Sequence, residues 1–167
     1  SGNSLSVTIS DTSVDAAALN TLDGKTTVAI DAAAITTLTG AAVDLNTAFD
    51  SGGISNLGDQ DVTLTDTSLT ASVLNALDDN TTGSIDANTL NTLTGAAVDL
   101  NTAFDSGGIS NLSDQDVTLT DSSLTAAALH ALDDHTSGTI NADTLNTHTG
   151  AAVDLHTAFD SGGISNL

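Results

Sequence analysis

The chain has 167 residues and 22 acidic side chains, all aspartate, against one lysine and no arginine, a formal charge of -21. Nucleic acid and anionic membrane surfaces are excluded as partners, because both are bound by clustered Lys and Arg and only Lys25 is present. The lack of Cys, Trp and Tyr removes disulfides, thiolate chemistry and most aromatic binding platforms, while a 39% hydrophobic content is that of a folded chain.

The chain repeats itself every 55 residues. Val7, Val62 and Val117 open equivalent segments that close at Leu57, Leu112 and Leu167, and the stretch from Thr37 to Leu57 recurs unchanged from Thr92 to Leu112. The organisation read from this is a lead-in over 1–6, whose Ser1-Gly2 resembles a cloning remnant, then repeats over 7–61, 62–116 and 117–167. In chain order within the second repeat, the alternation Val62-Thr63-Leu64-Thr65 predicts a short strand. Leu69, Val73, Leu74 and Leu77 then predict a helix capped by Thr67 or Ser68. Gly83 to Asp86 reads as a second short strand. The stripe Leu90, Leu93, Ala97, Leu100 and Phe104 predicts a second helix ending before Gly107, with Gly95 either inside it or dividing it, and Ile109 to Leu112 is a third strand.

Short strands alternating with helices favour right-handed parallel crossovers. The fold expected is therefore α/β, a repeat solenoid of short parallel strands and helices built from three 55-residue repeats; the alternative is helix-rich small globular repeats arranged as beads on a string. The intervals Leu64 to Ile85 and Ile85 to Ile109 suit one turn of such a solenoid, whereas the ten residues from Ile109 to Leu119 are too few for another helical turn. Phe49, Phe104 and Phe159 occupy one equivalent position and are expected to be core plugs, one per repeat.

The use of aspartate without glutamate points to short side chains that cap helices and close turns, with Asp66, Asp78, Asp86 and Asp105 at predicted element boundaries. On this reading no cofactor is required, and calcium is the competing one. Asp78, Asn80, Thr82, Ser84 and Asp86 follow the ligand spacing of an EF-hand loop with Gly83 at its sixth position, and Asp133 and Ser137 are matching positions in the third repeat. Thr89 stands where the loop needs a bidentate acid; the first repeat has Lys25 and Val28 in the loop, and the third has His135 and Asn141. Asp59-Gln60-Asp61 and Asp114-Gln115-Asp116 are looser cation candidates. Charges about 10 Å apart in water repel by about 0.4 kcal/mol and are screened over about 10 Å at 0.1 M salt, so stability is expected to rise with salt.

All four histidines, His130, His135, His148 and His156, fall in the third repeat and are the transition-metal candidates. His130 and His135, five apart, do not share a helix face, whereas His148 and His156, eight apart, are only about 80° apart, and a site between helices stays open. Three replace asparagine, whereas His148 replaces the stripe residue Leu93. No nucleophile with a base, phosphate-cradling loop or arginine clamp is present, so the sequence predicts no enzyme.

The segments LNALDDNTTGSIDANTLNTLTGAAVDL and FDSGGISNL resemble tandem repeats of very long secreted or cell-surface proteins of bacteria, especially marine cyanobacteria, and the resemblance covers all three copies. It implies an extracellular or cell-surface location and an adhesin-like structural role, a spacer or scaffold for adhesion or a surface coat. The expected partners are neighbouring repeats and further copies of the chain joined end to end, with no nucleic acid and no membrane insertion; the alternative is a calcium-responsive binding module.

Overall fold

A computed structural model describes residues 3–167; Ser1 and Gly2, the proposed remnant, lie outside the described residues. The chain is an α/β repeat solenoid in which short parallel strands alternate with helices. Its first stretch runs β1 (Val7–Thr8), β2 (Ser13–Asp15), α1 (Ala16–Asp23), β3 (Ile30–Asp31), β4 (Thr37–Gly40), α2 (Ala42–Phe49) and β5 (Ile54–Ser55). The same order returns as β6 (Asp61–Leu64), β7 (Ser68–Thr70), α3 (Ala71–Asn80), β8 (Ile85–Asp86), β9 (Thr92–Gly95), α4 (Ala97–Asp105) and β10 (Ile109–Ser110). It returns again as β11 (Asp116–Leu119), β12 (Ser123–Thr125), α5 (Ala126–Asp133), β13 (Ile140–Asn141), β14 (Thr147–Thr149), α6 (Ala152–Asp160) and β15 (Ile164–Ser165).

Two compact units are distinguished. The first takes the chain up to Asp66 with Ala76–Thr89 and Gly108–Ser110, and holds the sheets β1-β3-β5 and β10-β8-β6-β4-β2. The second takes Thr67–Asn75, Leu90–Gly107 and Asn111–Leu167, and holds β15-β13-β11-β9-β7 and β12-β14. Every strand pair is parallel, and partners lie 23 or 24 residues apart, as in Val14 with Leu38, Leu38 with Val62, Val62 with Ile85, and Ile85 with Ile109. One solenoid turn is therefore about 24 residues. Two turns and the seven-residue advance from Val62 to Leu69 make up the 55-residue period. Within a repeat successive strands alternate between two sheets, and each repeat shares one of its sheets with the next.

This resolves the ten-residue interval. Ile109 and Leu119 lie on β10 and β11, which follow one another without a helix and belong to different sheets, so the segment between them makes a corner and not a turn. Each corner opens with the Ile-Ser-Asn motif. Asn56, Asn111 and Asn166 have φ of 63°, 60° and 62°, the left-handed region that asparagine tolerates better than most residues.

Two predicted elements are corrected. The stripe from Leu90 to Phe104 is not one helix: Leu93 lies on β9, Leu90 precedes it, and the helix begins at Ala97 after Gly95-Ala96. A leucine spaced three before a helix face is also a leucine pointing inward from a strand, and the parallel pairing with β7 and β11 decides for the strand. Likewise Ser68 and Leu69 form β7, so the cap falls at the strand's last residue: in the equivalent α5, Thr125 Oγ1 accepts from the Ala128 amide at 3.2 Å, and in α1 Asp15 accepts from Ala18 at 2.9 Å. The core is alanine and aliphatic, including Ala16, Leu19, Leu38, Ala42 and Leu45 in the first unit and Leu74, Leu93, Leu100, Leu129 and Ile140 in the second, all essentially inaccessible. The phenylalanines are not core plugs. Phe49 and Phe104 are half-buried and Phe159 is 61% exposed, each at the C-terminal end of its helix.

Candidate functional site

The polar residues join successive turns. Asp66 Oδ2 accepts from the Ala42 amide at the start of α2, and Asp121 Oδ2 from the Ala97 amide at the start of α4, each at 2.7 Å and from 24 residues further along the chain. Neither helix has a side-chain cap of its own, since alanine holds the N-cap position, so the following turn supplies it. Ser55, Ser110 and Ser165 donate to the carbonyls of Ile30, Ile85 and Ile140, and Asn20 and Asn75 to those of Asp44 and Asp99. The buried Gln60 Nε2 donates to the Ile35 and Asn56 carbonyls, while its Oε1 accepts from the Gly58 amide at 2.8 Å; Gln115 repeats the pattern with Leu90 and Asn111. The carbonyls of Gln60 and Gln115 in turn accept from the buried Thr81 and Thr136 hydroxyls at 2.7 Å. A carboxylate on one methylene reaches a backbone amide one turn away, which is a physical reason for aspartate without glutamate.

The calcium-candidate residues sit within this ladder. Asp78 and Asn80 lie in the last turns of α3, and Asn80 Nδ2 donates to Asn46 Oδ1 at 3.0 Å. Thr82 bonds to the Gly58 carbonyl, the Ser84 amide donates to Asp61, and Asp86 on β8 accepts from the Asn88 amide. In the third repeat Asp133 Oδ2 accepts from the Ser161 hydroxyl at 2.7 Å, and Ser137 bonds to the Ser113 carbonyl. These groups reach different neighbours. Gly83 is required by something other than a cation: a Cβ there would collide with the Gln60 carbonyl of the preceding turn, and Gly138 faces Gln115 in the same way. Around Asp59-Gln60-Asp61 an open groove is lined also by Ile35 and Asn56, with the Gln60 amide turned inward to its backbone partners.

His130 lies on α5, His135 in the turn after it, His148 on β14 and His156 on α6. His130 lies 3.8 Å from Asp134 and His156 3.0 Å from Asp160, both one helical turn on. His135 stacks on Phe104, ring centroids 5.7 Å apart, with Nε2 3.5 Å from Asp105. His148 occupies the centre of β14 opposite Leu124, its ring edge-on to Phe159, and both ring nitrogens are inaccessible and without a hydrogen-bond partner. Among the described residues no three histidine or aspartate side chains come together as a metal-ligand group, and no helix is long and apolar enough to cross a membrane. The amide and hydroxyl of Thr139 both donate to Asp116 at 2.8 Å and hold it below its ordinary pKa.

Sequence reasoning missed the residues that tie the turns, among them Thr81, Asn75 and Ser110. A second, shorter period would have revealed them. Leu69-Thr70 with Ala71, Leu74 and Asn75 recurs as Leu93-Thr94 with Ala97, Leu100 and Asn101, displaced by one turn and the two inserted residues Gly95-Ala96. Comparison with family models, curated proteins and solved structures found no match.

Proposed function

We propose that the chain is a structural module, a spacer or scaffold segment of an extracellular or cell-surface bacterial protein in which repeats are added to gain reach. The observation that carries this reading is the polar ladder: asparagine, serine, threonine, glutamine and aspartate side chains bond one turn to the next at separations near 24 residues, in each repeat. Such bonds make each turn a platform for its neighbour, the arrangement by which linear repeat proteins extend. The strongly acidic surface without cysteine suits a saline, oxidising exterior.

The test is small-angle X-ray scattering on chains of three and six copies, each with calcium and with chelator. The spacer reading expects the maximum dimension to grow by a fixed increment per copy in both conditions. Growth as the cube root of mass would overturn it, and growth that requires calcium would favour the calcium-responsive module instead.

A further inference from the structure

In the second repeat Asn80, the last residue of α3, donates through Nδ2 to Asn46 Oδ1 on α2 at 3.0 Å, a tie between residues 34 apart. The residues 55 positions further on are His135 and Asn101. There the tie is missing: Asn101 Oδ1 is inaccessible and has no hydrogen-bond partner. A buried acceptor left unpaired is a cost to the fold.

His135 lies against a different acceptor on the same helix. Its ring stacks on Phe104 with 3° between the ring planes, and its Nε2 is 3.5 Å from Asp105 Oδ1. Asn101 and Asp105 are four apart on α4, so they stand one above the other on one helix face. One imidazole is thus placed beside two oxygen acceptors, the first by contact and the second by its equivalence to Asn80. A neutral imidazole has a single N–H, and its other nitrogen is an acceptor that repels an amide oxygen, whereas imidazolium has two N–H groups. Only the protonated ring serves both oxygens.

We propose that His135 is an acid-closed clasp: with a proton on each ring nitrogen it bonds Asp105 through Nε2 and Asn101 through Nδ1, and so tightens the junction between α4 and the turn after α5. The surroundings favour the charged ring. The Asp105 carboxylate and the face of Phe104 both attract a cation. The other titratable groups on the neighbouring elements are Asp99 on α4, His130 and Asp133 on α5, Asp134 next to His135, and Asp114 beside the Ser113 carbonyl that Ser137 holds. All but His130 are carboxylates, and His130 itself lies 3.8 Å from Asp134. The side chain of His135 is 29% exposed, so a proton reaches it without unfolding, and among the described residues it belongs to no group of metal ligands. Because the second bond exists in the protonated state alone, its contribution to stability is present at acid pH and is lost as pH rises through the range in which histidine loses its charge. The second repeat, with asparagine in the same place, has its tie at every pH. This inference does not rest on the spacer reading, and the scattering experiment and the clasp can fail separately.

Urea unfolding of the whole chain at about pH 5.5 and about pH 7.5, either side of the ordinary histidine value and at one ionic strength, tests it on wild type, His135→Asn and Asn101→Ala. His135→Asn installs the residue of the second repeat, an arrangement the molecule already folds with, and the other three histidines are common to all the chains compared. The wild-type folding constant divided by that of His135→Asn should rise about fivefold from the higher pH to the lower, the worth of one hydrogen bond at a partly exposed site. Asn101→Ala keeps the ring and removes one acceptor, so the same ratio taken with it should rise less. A ratio that stays flat or falls on acidification would overturn the clasp, as would a full fivefold rise in Asn101→Ala.

Discussion

The second and third repeats differ at eleven positions over 51 aligned residues, yet their equivalent helices α4 and α6 live in different environments. Ala97 and Leu100 are covered and the α4 amide is capped by Asp121; Ala152 and Leu155, identical residues, are exposed or half-covered. Identical residues with unequal burial show that burial here is a property of the junction between turns. A helix of nine residues is too short to persist by its own propensity and is stabilised by what packs on it.

The largest test of that contrast is Leu100→Ala against Leu155→Ala. Leu100 is fully enclosed, so its truncation should cost about 2–5 kcal/mol in urea unfolding, whereas Leu155→Ala should cost about 1 kcal/mol or less. Equal costs would break the comparison. His148→Leu should move the third repeat toward the second and stabilise the chain by about 1–3 kcal/mol, the cost of a polar group held without a partner, read as a raised melting temperature. Asp121→Ala should cost about 0.5–2 kcal/mol through the lost α4 cap.

The smallest effect is one of pH. Asp116 has a lowered folded pKa, so its contribution to stability is fully present above the ordinary value near 3.8 and is lost as pH falls through the folded value. Asp116→Asn should therefore flatten the stability loss below about pH 4, measured by urea unfolding across acid pH.

The α/β solenoid was readable because the 55-residue period is nearly undiluted and because Val62, Ile85 and Ile109 announce strands at turn-length spacing. The strand β9 was hidden by its own neighbour: Leu93 continues the helical spacing of Ala97 and Leu100, and only pairing with strands 24 residues away separates them. Asp66 was legible as a capping residue, but the helix it caps precedes it by a whole turn. Local rules find caps within three residues, so a cap supplied across a parallel turn has no local signature. The glycine that made Asp78 to Thr89 look like a calcium loop has the same origin, a close approach to the Gln60 backbone of another turn.

The central claim, that each turn is held by the next, is tested most directly by equilibrium urea unfolding of chains with two, three and four copies. Coupled junctions predict a single transition whose midpoint and slope both rise with copy number. Midpoints that stay the same as copies are added would show independently folding beads and contradict the account.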